Sequence, residues 1–324
     1  MVLVHGVGGS VYKAWIQQWN DAGFAAISIA VEGQTGTQIN KRPLKKWLKD
    51  EWSGSIRPGI YNDADEPLTE QWMYHAATVT INTHNLLRSF DDINQEQIGL
   101  SGISWGGVIT TTIIGLDQRF ACAIAIYGFG FLNTMDNQYG KALKNNISYR
   151  EVWEPALRIA KFKKTTFWLT GLKENNFSLD VQANTYKLLT RQHLQSIQPT
   201  LRHTHPAGWA PKEPYFFAQA VINKQLLVTF YQHKKSKDTV SISIKNTTAK
   251  AVNNISSATL FYTNDIGHIL KRKWPQLPVT VIAKDDEALL TSTLPITVTA
   301  WLFNTELDGL TYSSKFFEQD RVKK

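Results

Sequence analysis

Residues 97–113 read QIGLSGISWGGVITTTI, and this stretch decides the fold. The apolar residues up to Leu100 predict a buried strand, and residues 108–116 predict a helix. Between them lies Gly102-Ile103-Ser104-Trp105-Gly106. Gly-x-Ser-x-Gly alone is weak, because roughly one chain in ten of this length carries it by chance at ordinary Gly and Ser usage. Its place between a strand and a helix is what a nucleophile elbow needs, where a strained turn exposes a serine nucleophile.

Strand and helix patterns alternate on both sides of this motif. Strands are predicted at residues 2–4, 25–30, 97–100, 121–126, 165–170 and 199–203, and helices at residues 71–90, 108–116, 179–189 and 211–222. This alternation predicts βαβ units and a parallel sheet flanked by helices, the α/β-hydrolase fold class. Two segments read as irregular: residues 32–67, and residues 129–153, which we interpret as an insertion that covers a site.

The composition changes near residue 226. Short β patterns separated by turns follow at residues 227–230, 240–244, 258–262, 279–282 and 296–303, without a clear helical pattern. This predicts a small all-β sandwich of the immunoglobulin-like kind. We therefore expect an α/β catalytic domain over residues 1–225 and a β-sandwich over residues 226–324.

Bulk composition bounds the class of protein. The 324 residues are 43% hydrophobic and 19% charged, which is ordinary for a globular chain. The formal net charge is +8, but the Lys and Arg residues are scattered, so we expect solvated faces and no nucleic-acid partner. No apolar run is long enough to predict a membrane span. The single cysteine, Cys122, permits no intrachain disulfide and reads as a buried apolar residue.

The start of the chain does not decide the cellular compartment. It opens directly on a strand and shows no signal peptide. A periplasmic or secreted location fits if an N-terminal segment has been removed, and a cytoplasmic one fits otherwise. The oligomeric state is likewise open.

An oxyanion hole needs two backbone N–H donors. One is expected from Trp105, the residue after the nucleophile, and the other from a loop after an earlier strand. His5-Gly6-Val7-Gly8-Gly9 follows the first strand, so Val7 and Gly8 are the expected second donors. The competing interpretation is a phosphate loop, but the glycine spacing is wrong for a dinucleotide fingerprint and no Walker lysine follows.

The acid and the base should follow Ser104 in that order along the chain. Glu174 and Asp180 come after the strand at residues 165–170, and Glu174 is preferred because Asp180 suits a helix cap. His203 and His205 come at the end of the last predicted strand. His205 is slightly preferred, since it lies further along the turn.

The other histidines read as structural. His5 and His75 are expected to be structural, and His84 to lie on a helix surface. His203-x-His205 offers two metal ligands, but no third stands at a suitable spacing, so no metal and no other cofactor is expected.

Aromatic residues fall in the loops that leave the carboxyl ends of the strands, where α/β sheets bind ligands. Trp47, Trp52, Tyr127, Phe129 and Trp209 are candidates for stacking on sugar rings. Packing in the core or in a cap is the competing interpretation for each.

Beyond these patterns, the residues resemble a known family. The matching motifs are His5-Gly6-x-Gly8-Gly9, Trp52-Ser53-Gly54, Gln71-Trp72-Met73-Tyr74-His75-Ala76, Gly102-Ile103-Ser104-Trp105-Gly106-Gly107 and Asp117-x-Arg119-Phe120. Over residues 2–222 the chain is similar to bacterial acetylxylan-esterase-like serine esterases, relatives of cephalosporin-C deacetylases and prolyl-oligopeptidase-type hydrolases. The family usually has Asp where this chain has Glu174, and it has strands before the first one here. A β-sandwich after the catalytic domain is common among such relatives.

Three functions remain to be separated. The first is a serine carboxylic-ester hydrolase that acts on a small-molecule or polysaccharide ester, such as an acetylated carbohydrate, through an acyl-enzyme. The second is a serine exopeptidase or amidase on the same scaffold. The third is a non-catalytic relative that binds carbohydrate or protein.

Overall fold

The computed structural model describes residues 1–40, 46–52, 57–225, 228–246, 254–265 and 272–319. The strands in chain order are β1 (Val2–Val4), β2 (Ile27–Ile29), β3 (Gln34–Asn40), β4 (Lys46–Lys49), β5 (Leu100–Ile103), β6 (Ala123–Ile126), β7 (Thr166–Gly171), β8 (His193–Gln198), β9 (Thr229–Ser236), β10 (Thr239–Lys245), β11 (Ile255–Thr263), β12 (Gln276–Pro278), β13 (Thr280–Lys284), β14 (Glu287–Thr293), β15 (Ala300–Leu307), β16 (Leu310–Ser313) and β17 (Phe317–Glu318).

The α-helices lie between or directly after the strands of the parallel sheet and end before β9. They are α1 (Lys13–Asp21), α2 (Trp72–Arg88), α3 (Trp105–Ile113), α4 (Gln138–Leu143), α5 (Ile147–Trp153), α6 (Leu179–Tyr186), α7 (His205–Trp209) and α8 (Glu213–Ile222). This order confirms the predicted α/β class.

A six-stranded parallel sheet forms the centre of the α/β part. Its strand order is β2-β1-β5-β6-β7-β8. Strands β1, β5, β6 and β7 are buried at every position, as expected where helices cover both faces of a parallel sheet. Because all strands run the same way, the segments after Val4, Ile103, Gly171 and Gln198 leave from one edge of the sheet. That edge carries the site.

Helices cover the sheet with apolar faces. In α1, Trp15 and Trp19 are one helical turn apart and buried, and the ring of Trp19 lies 4.6 Å from that of Tyr215 in α8. Helix α3 is buried along its whole length, because it lies between the sheet and α2.

One prediction about α2 is wrong. His84 was expected on a helix surface, but its side chain is buried with its ring 4.6 Å from that of Phe120. Both ring nitrogens lack a hydrogen-bond partner among the described residues. Burial and the nearby Arg119 lower the pKa of His84 to about 4.

Two element predictions are also corrected. The last strand of the parallel sheet is His193–Gln198, so it ends before the predicted strand at residues 199–203 begins. Within the segment 32–67, β3 and β4 pair as an antiparallel hairpin with Gln34 opposite Lys49.

The C-terminal region is a β-sandwich. One sheet has the order β13-β14-β10-β9, and the other has β12-β11-β15-β16 with β17 beside β15. Alternate residues of the strands, including Val240, Ile242, Leu290 and Phe303, meet in a common apolar cluster. Residues 226–227 lie outside the described part, so the boundary between residues 225 and 226 stays a prediction, as does the immunoglobulin-like assignment.

The sandwich covers the outer edge of the parallel sheet at β8. The backbone N–H of Ile197 donates to Ser313 Oγ at 2.7 Å, and Asn304 Nδ2 donates to the Ile197 carbonyl at 2.8 Å. Gln195 also donates to the Ser314 carbonyl. The outward-facing backbone N–H and carbonyl of Ile197, which would otherwise be unpaired at the strand edge, thus have partners within the chain.

Candidate active site

Ser104 lies on a strained turn between β5 and α3. Its backbone has φ 59° and ψ −118°, a conformation that costs free energy for a residue with a side chain. The neighbouring backbone leaves no room for larger residues, since a Cβ at Gly106 would collide with the Val4 carbonyl oxygen. This close packing holds Ser104 at the carboxyl end of the sheet, as the Gly-x-Ser-x-Gly motif predicts.

His203 is the histidine that contacts the serine. Its Nε2 lies 2.8 Å from Ser104 Oγ, and its Nδ1 lies 2.8 Å from each carboxylate oxygen of Glu174. Since a carboxylate only accepts, Nδ1 carries the proton in this contact. Nε2 is then free to accept the serine hydroxyl proton. The three side chains form one hydrogen-bonded chain.

Glu174 is anchored by the turn that follows β7. Its side chain is fully buried, and Oε1 accepts from the backbone N–H groups of Asn176 at 2.7 Å and Phe177 at 3.2 Å. A buried carboxylate needs such donors, because burial without them is very unfavourable. The same bonds fix the direction in which the carboxylate meets His203.

Asp180, the alternative acid, lies elsewhere. Its Oδ1 is 3.5 Å from Nη1 of Arg272 in the C-terminal region. It was expected to cap α6, but Ser178 occupies the cap position and Asp180 lies in the first turn. A carboxylate there still interacts favourably with the helix dipole.

The structure brings His203 to Ser104 and not the preferred His205, which corrects that preference. The reason is the strand end: β8 stops at Gln198, so the loop reaches the serine at His203. Thr204 then caps α7 by accepting from the Ala207 N–H, and His205 is the first residue of that helix. Its Nε2 accepts the Gly6 N–H at 2.9 Å.

Three backbone N–H groups in the segments predicted to form the oxyanion hole donate to no acceptor among the described residues. Trp105 begins α3, and the first N–H groups of a helix have no intrahelical acceptor. Val7 and Gly8 form the turn after β1, and their N–H groups donate to no acceptor among the described residues. The Gly6 N–H, in contrast, is already bonded to His205.

Two of the predicted sugar-stacking aromatics are in the core, which corrects that prediction. The side chains of Tyr127 and Phe129 are fully buried. Tyr127 packs 4.6 Å from the ring of His203 and donates its hydroxyl proton to the Arg202 carbonyl, so it supports the histidine loop. Phe129 stacks on Trp168. The chain turns inward directly after β6, and these rings follow it into the core.

The predicted tryptophans divide between core and surface. Trp209 is buried between Trp15 and Tyr12. Trp52 is 91% exposed, while its motif neighbours Ser53 and Gly54 lie outside the described residues. Trp47 is partly exposed and donates its Nε1–H to the Gly8 carbonyl at 3.0 Å, so it borders the predicted oxyanion loop.

Sequence reasoning missed Tyr12. Its ring lies 4.9 Å from His205, 5.0 Å from Trp209 and 5.7 Å from Trp47. The signal was an aromatic residue directly after the glycine-rich loop. Tyr12 therefore joins that loop, the histidine loop and the β3–β4 hairpin in one aromatic cluster.

Within the described residues, no group of three or more His, Cys, Asp or Glu side chains is arranged to hold a metal ion. None of the described helices is both long and apolar enough to cross a membrane.

Comparison with known proteins gives one family match. The acetyl xylan esterase (AXE1) family matches residues 3–163, a range that contains the Ser104 motif and the loop at Val7 but ends before Glu174 and His203. No curated protein sequence matches.

Solved structures share the fold. The chain is similar to acetyl xylan esterase 1 from Thermoanaerobacterium sp. JW/SL YS485, at 14% identity and a TM-score of 0.53 over 68% of this chain and 74% of that one. It is similar to the acetyl xylan esterase from Paenibacillus sp. R4, at 18% identity and a TM-score of 0.52 over 69% and 74%. It is also similar to the Pyrococcus horikoshii acylaminoacyl peptidase, at 18% identity and a TM-score of 0.51 over 69% and 37%.

At these identities the structural likeness establishes the fold alone, whereas the family match adds the sequence around the serine. The comparisons and the strand–serine–helix turn together identify this chain as an acetyl-xylan-esterase-like α/β-hydrolase. It is a serine carboxylic-ester hydrolase.

Proposed function

We propose that this esterase removes acetyl or other small acyl groups from a carbohydrate ester through an acyl-enzyme on Ser104, with His203 as the base and Glu174 as the acid. The observation that carries the proposal is the continuous hydrogen-bonded chain from Ser104 Oγ through His203 to Glu174, with both links at 2.8 Å.

Acylation follows from this arrangement. His203 Nε2 takes the proton of Ser104 as Oγ attacks the ester carbonyl, and Glu174 stabilises the imidazolium that forms. The N–H groups of Trp105 and of Val7 or Gly8 stabilise the oxyanion. When the intermediate collapses, the carbon–oxygen bond to the alcohol breaks and His203 returns the proton to that leaving oxygen.

Deacylation repeats these roles with water. His203 takes a proton from the water molecule as its oxygen attacks the acyl carbonyl. The second intermediate collapses, the bond to Ser104 Oγ breaks, and His203 protonates that oxygen. A carboxylic acid leaves, and the serine is regenerated.

A carbohydrate ester is supported by surface aromatics near the loop. Trp47 is partly exposed beside Gly8, and Trp52 is exposed in the same hairpin region. Flat exposed rings bind sugar faces well, because stacking removes apolar area from water. The two acetyl xylan esterases with this fold support an acetyl ester as the first substrate to test.

A substrate panel tests the proposal. The panel holds p-nitrophenyl acetate, p-nitrophenyl octanoate, acetylated xylan and amino-acyl p-nitroanilides. We expect turnover of the acetyl esters, and a loss of at least about 10³-fold in Ser104→Ala. Ser257→Ala is the matched control, because it makes the same change at an exposed position of β11, and it should keep full activity. Cleavage of the anilides alone would replace the esterase assignment by an amidase one. No turnover by folded protein would favour a binding protein.

A further inference from the structure

His205 has its own hydrogen-bond partners next to the site. Its Nε2 lies 2.9 Å from the backbone nitrogen of Gly6, and its Nδ1 lies 3.4 Å from the hydroxyl of Tyr12. A backbone N–H can only donate, so Nε2 must be the unprotonated nitrogen of a neutral ring. The proton is then on Nδ1, facing the Tyr12 oxygen.

The ring also fills the space inside the glycine loop. A Cβ at Gly9 would lie 2.8 Å from His205 Nε2, and a Cβ at Gly6 would lie 3.2 Å from it and 2.7 Å from the Cβ of Ser104. The loop therefore packs between the imidazole of His205 and the nucleophile. Any shift of that ring changes where the loop places its N–H groups.

His203 and His205 are two residues apart, where the segment after β8 enters α7. One imidazole of this segment contacts Ser104 Oγ, and the other holds Gly6. The segment thus couples the position of the base to the position of the loop that contains Val7 and Gly8.

We propose that His205 is a positioning residue: its neutral imidazole fixes the loop at residues 5–9 through the Gly6 N–H, so that the free N–H of Val7 or Gly8 points at the oxyanion formed on Ser104. The proposal rests on the esterase function proposed above. His205 itself touches neither the serine hydroxyl nor, in this role, the reacting carbonyl.

The surroundings keep His205 neutral. Burial lowers the pKa of His205 to about 4, and the neighbouring His5 and His203 act in the same direction. Tyr12, which faces the other nitrogen, is uncharged because burial raises its pKa further. At neutral pH, Nε2 therefore remains an acceptor for Gly6.

The test compares His205→Phe, which keeps a ring without an acceptor, with His205→Gln, whose side-chain oxygen can accept an N–H. With p-nitrophenyl acetate we expect kcat to fall about 10- to 10³-fold in His205→Phe while KM changes little, because the loss falls on the transition state. The affinity of a trifluoromethyl ketone that mimics the tetrahedral intermediate should fall by a similar factor. We expect His205→Gln to recover at least about tenfold of the loss.

Hydrogen exchange at the Gly6 amide gives a readout that does not need activity. In the wild-type protein the amide should be protected, and in His205→Phe it should exchange much faster while the β5 and β6 amides remain protected. A Gly6 amide that is unprotected in folded wild-type protein overturns the proposal, whether or not esters are hydrolysed. If His205→Phe does not fold, the wild type and His205→Gln still test the contact, because both side chains offer an acceptor and the Gly6 amide should be protected in both proteins.

The two proposals fail in different ways. Wild-type protein that hydrolyses no ester contradicts the esterase function, and Gly6 exchange still decides what His205 does. Wild-type protein that is active, beside a His205→Phe variant with unchanged kcat and inhibitor affinity, contradicts the role of His205 alone.

Discussion

Both carboxylate oxygens of Glu174 lie 2.8 Å from Nδ1 of His203, in a buried position where two backbone N–H groups also donate to Oε1. Glu174 therefore occupies the position beside His203 for which the family resemblance implies aspartate. The longer side chain reaches the histidine because backbone N–H groups in the turn after β7 donate to Oε1 and fix the direction of the carboxylate.

The acid is tested by removing its charge. Glu174→Gln keeps the shape but offers the histidine an amide, so the wrong tautomer is favoured and kcat should fall about 10²- to 10⁴-fold. Asp180→Asn is the matched control, since Asp180 pairs with Arg272, and it should keep kcat within about twofold. Steady-state kinetics on p-nitrophenyl acetate measure both. Equal losses in the two variants would remove Glu174 from the triad.

Gly106 tests the strained turn. In Gly106→Ala the new methyl group meets the Val4 carbonyl oxygen, and backbone cannot move aside cheaply. We expect a loss of at least about 2 kcal/mol in the free energy of unfolding, together with loss of activity. Urea denaturation measures the stability. Gly309→Ala in the β15–β16 turn is the comparison. Gly309 has a φ of +75° and open space around an added Cβ, so this variant loses stability through backbone strain alone, without a collision. A Gly106→Ala protein as stable as the wild type would contradict the close packing.

His84 predicts how stability depends on pH. Its pKa in the folded protein is lowered to about 4, below its unfolded value near 6.5, so the unfolded chain takes up a proton that the folded one does not. The stability contribution is present above the unfolded pKa and is lost as pH falls from about 6.5 towards 4. The charged groups facing it include Arg119, Asp117, Arg88 and Glu96.

Leucine has a similar volume and takes up no proton, so replacing His84 by leucine removes this proton uptake. We expect His84→Leu to lose less stability than the wild type between pH 7 and pH 5, by about 1 kcal/mol or more. Thermal and urea unfolding across this range measure the difference. The matched control is Thr83→Val on the same helix, which replaces a buried polar side chain that does not titrate between pH 5 and 7. Parallel stability curves for wild type and His84→Leu would contradict the prediction.

Asn304 tests the contact between the sandwich and the parallel sheet. Its Nδ2 donates to the Ile197 carbonyl at 2.8 Å, and its Oδ1 accepts from Ser313 Oγ. Asn304→Ala leaves both buried partners unsatisfied, so unfolding should become easier by about 1–3 kcal/mol. Hydrogen exchange should accelerate at the β8 amides, including Ile197. If β8 exchange is unchanged, the sandwich does not protect that edge.

The alternation of strands and helices and the nucleophile turn were predictable because they depend on local patterns. Apolar runs followed by glycine mark buried strands, and Ser104 stands at the one turn with a Gly-x-Ser-x-Gly spacing after such a run. The choice between His203 and His205 was not predictable, since it depends on where β8 ends. The polar residues of His193–Gln198 hid that strand, because the sandwich, rather than apolar helix surface, covers part of it.

Tertiary packing explains the other differences. By sequence, Tyr127 and Phe129 are candidates for stacking on sugar rings because their loop leaves the strand ends, but the chain turns inward after β6 and buries both rings. By sequence, His84 is expected on a helix surface, but its position on α2 faces Phe120. Periodicity indicates which face of a helix is apolar. It does not indicate whether another element of the fold packs over a polar position and buries it.

The role of Ser104 is tested most directly by covalent labelling. The folded protein is treated with a fluorophosphonate, and intact mass and peptide mapping locate the adduct. We predict one adduct per chain on Ser104, none in Ser104→Ala, and labelling slowed at least about 10²-fold in His203→Ala but not in Ser257→Ala. An adduct on another residue, or no adduct on folded wild-type protein, would contradict a Ser104–His203–Glu174 esterase.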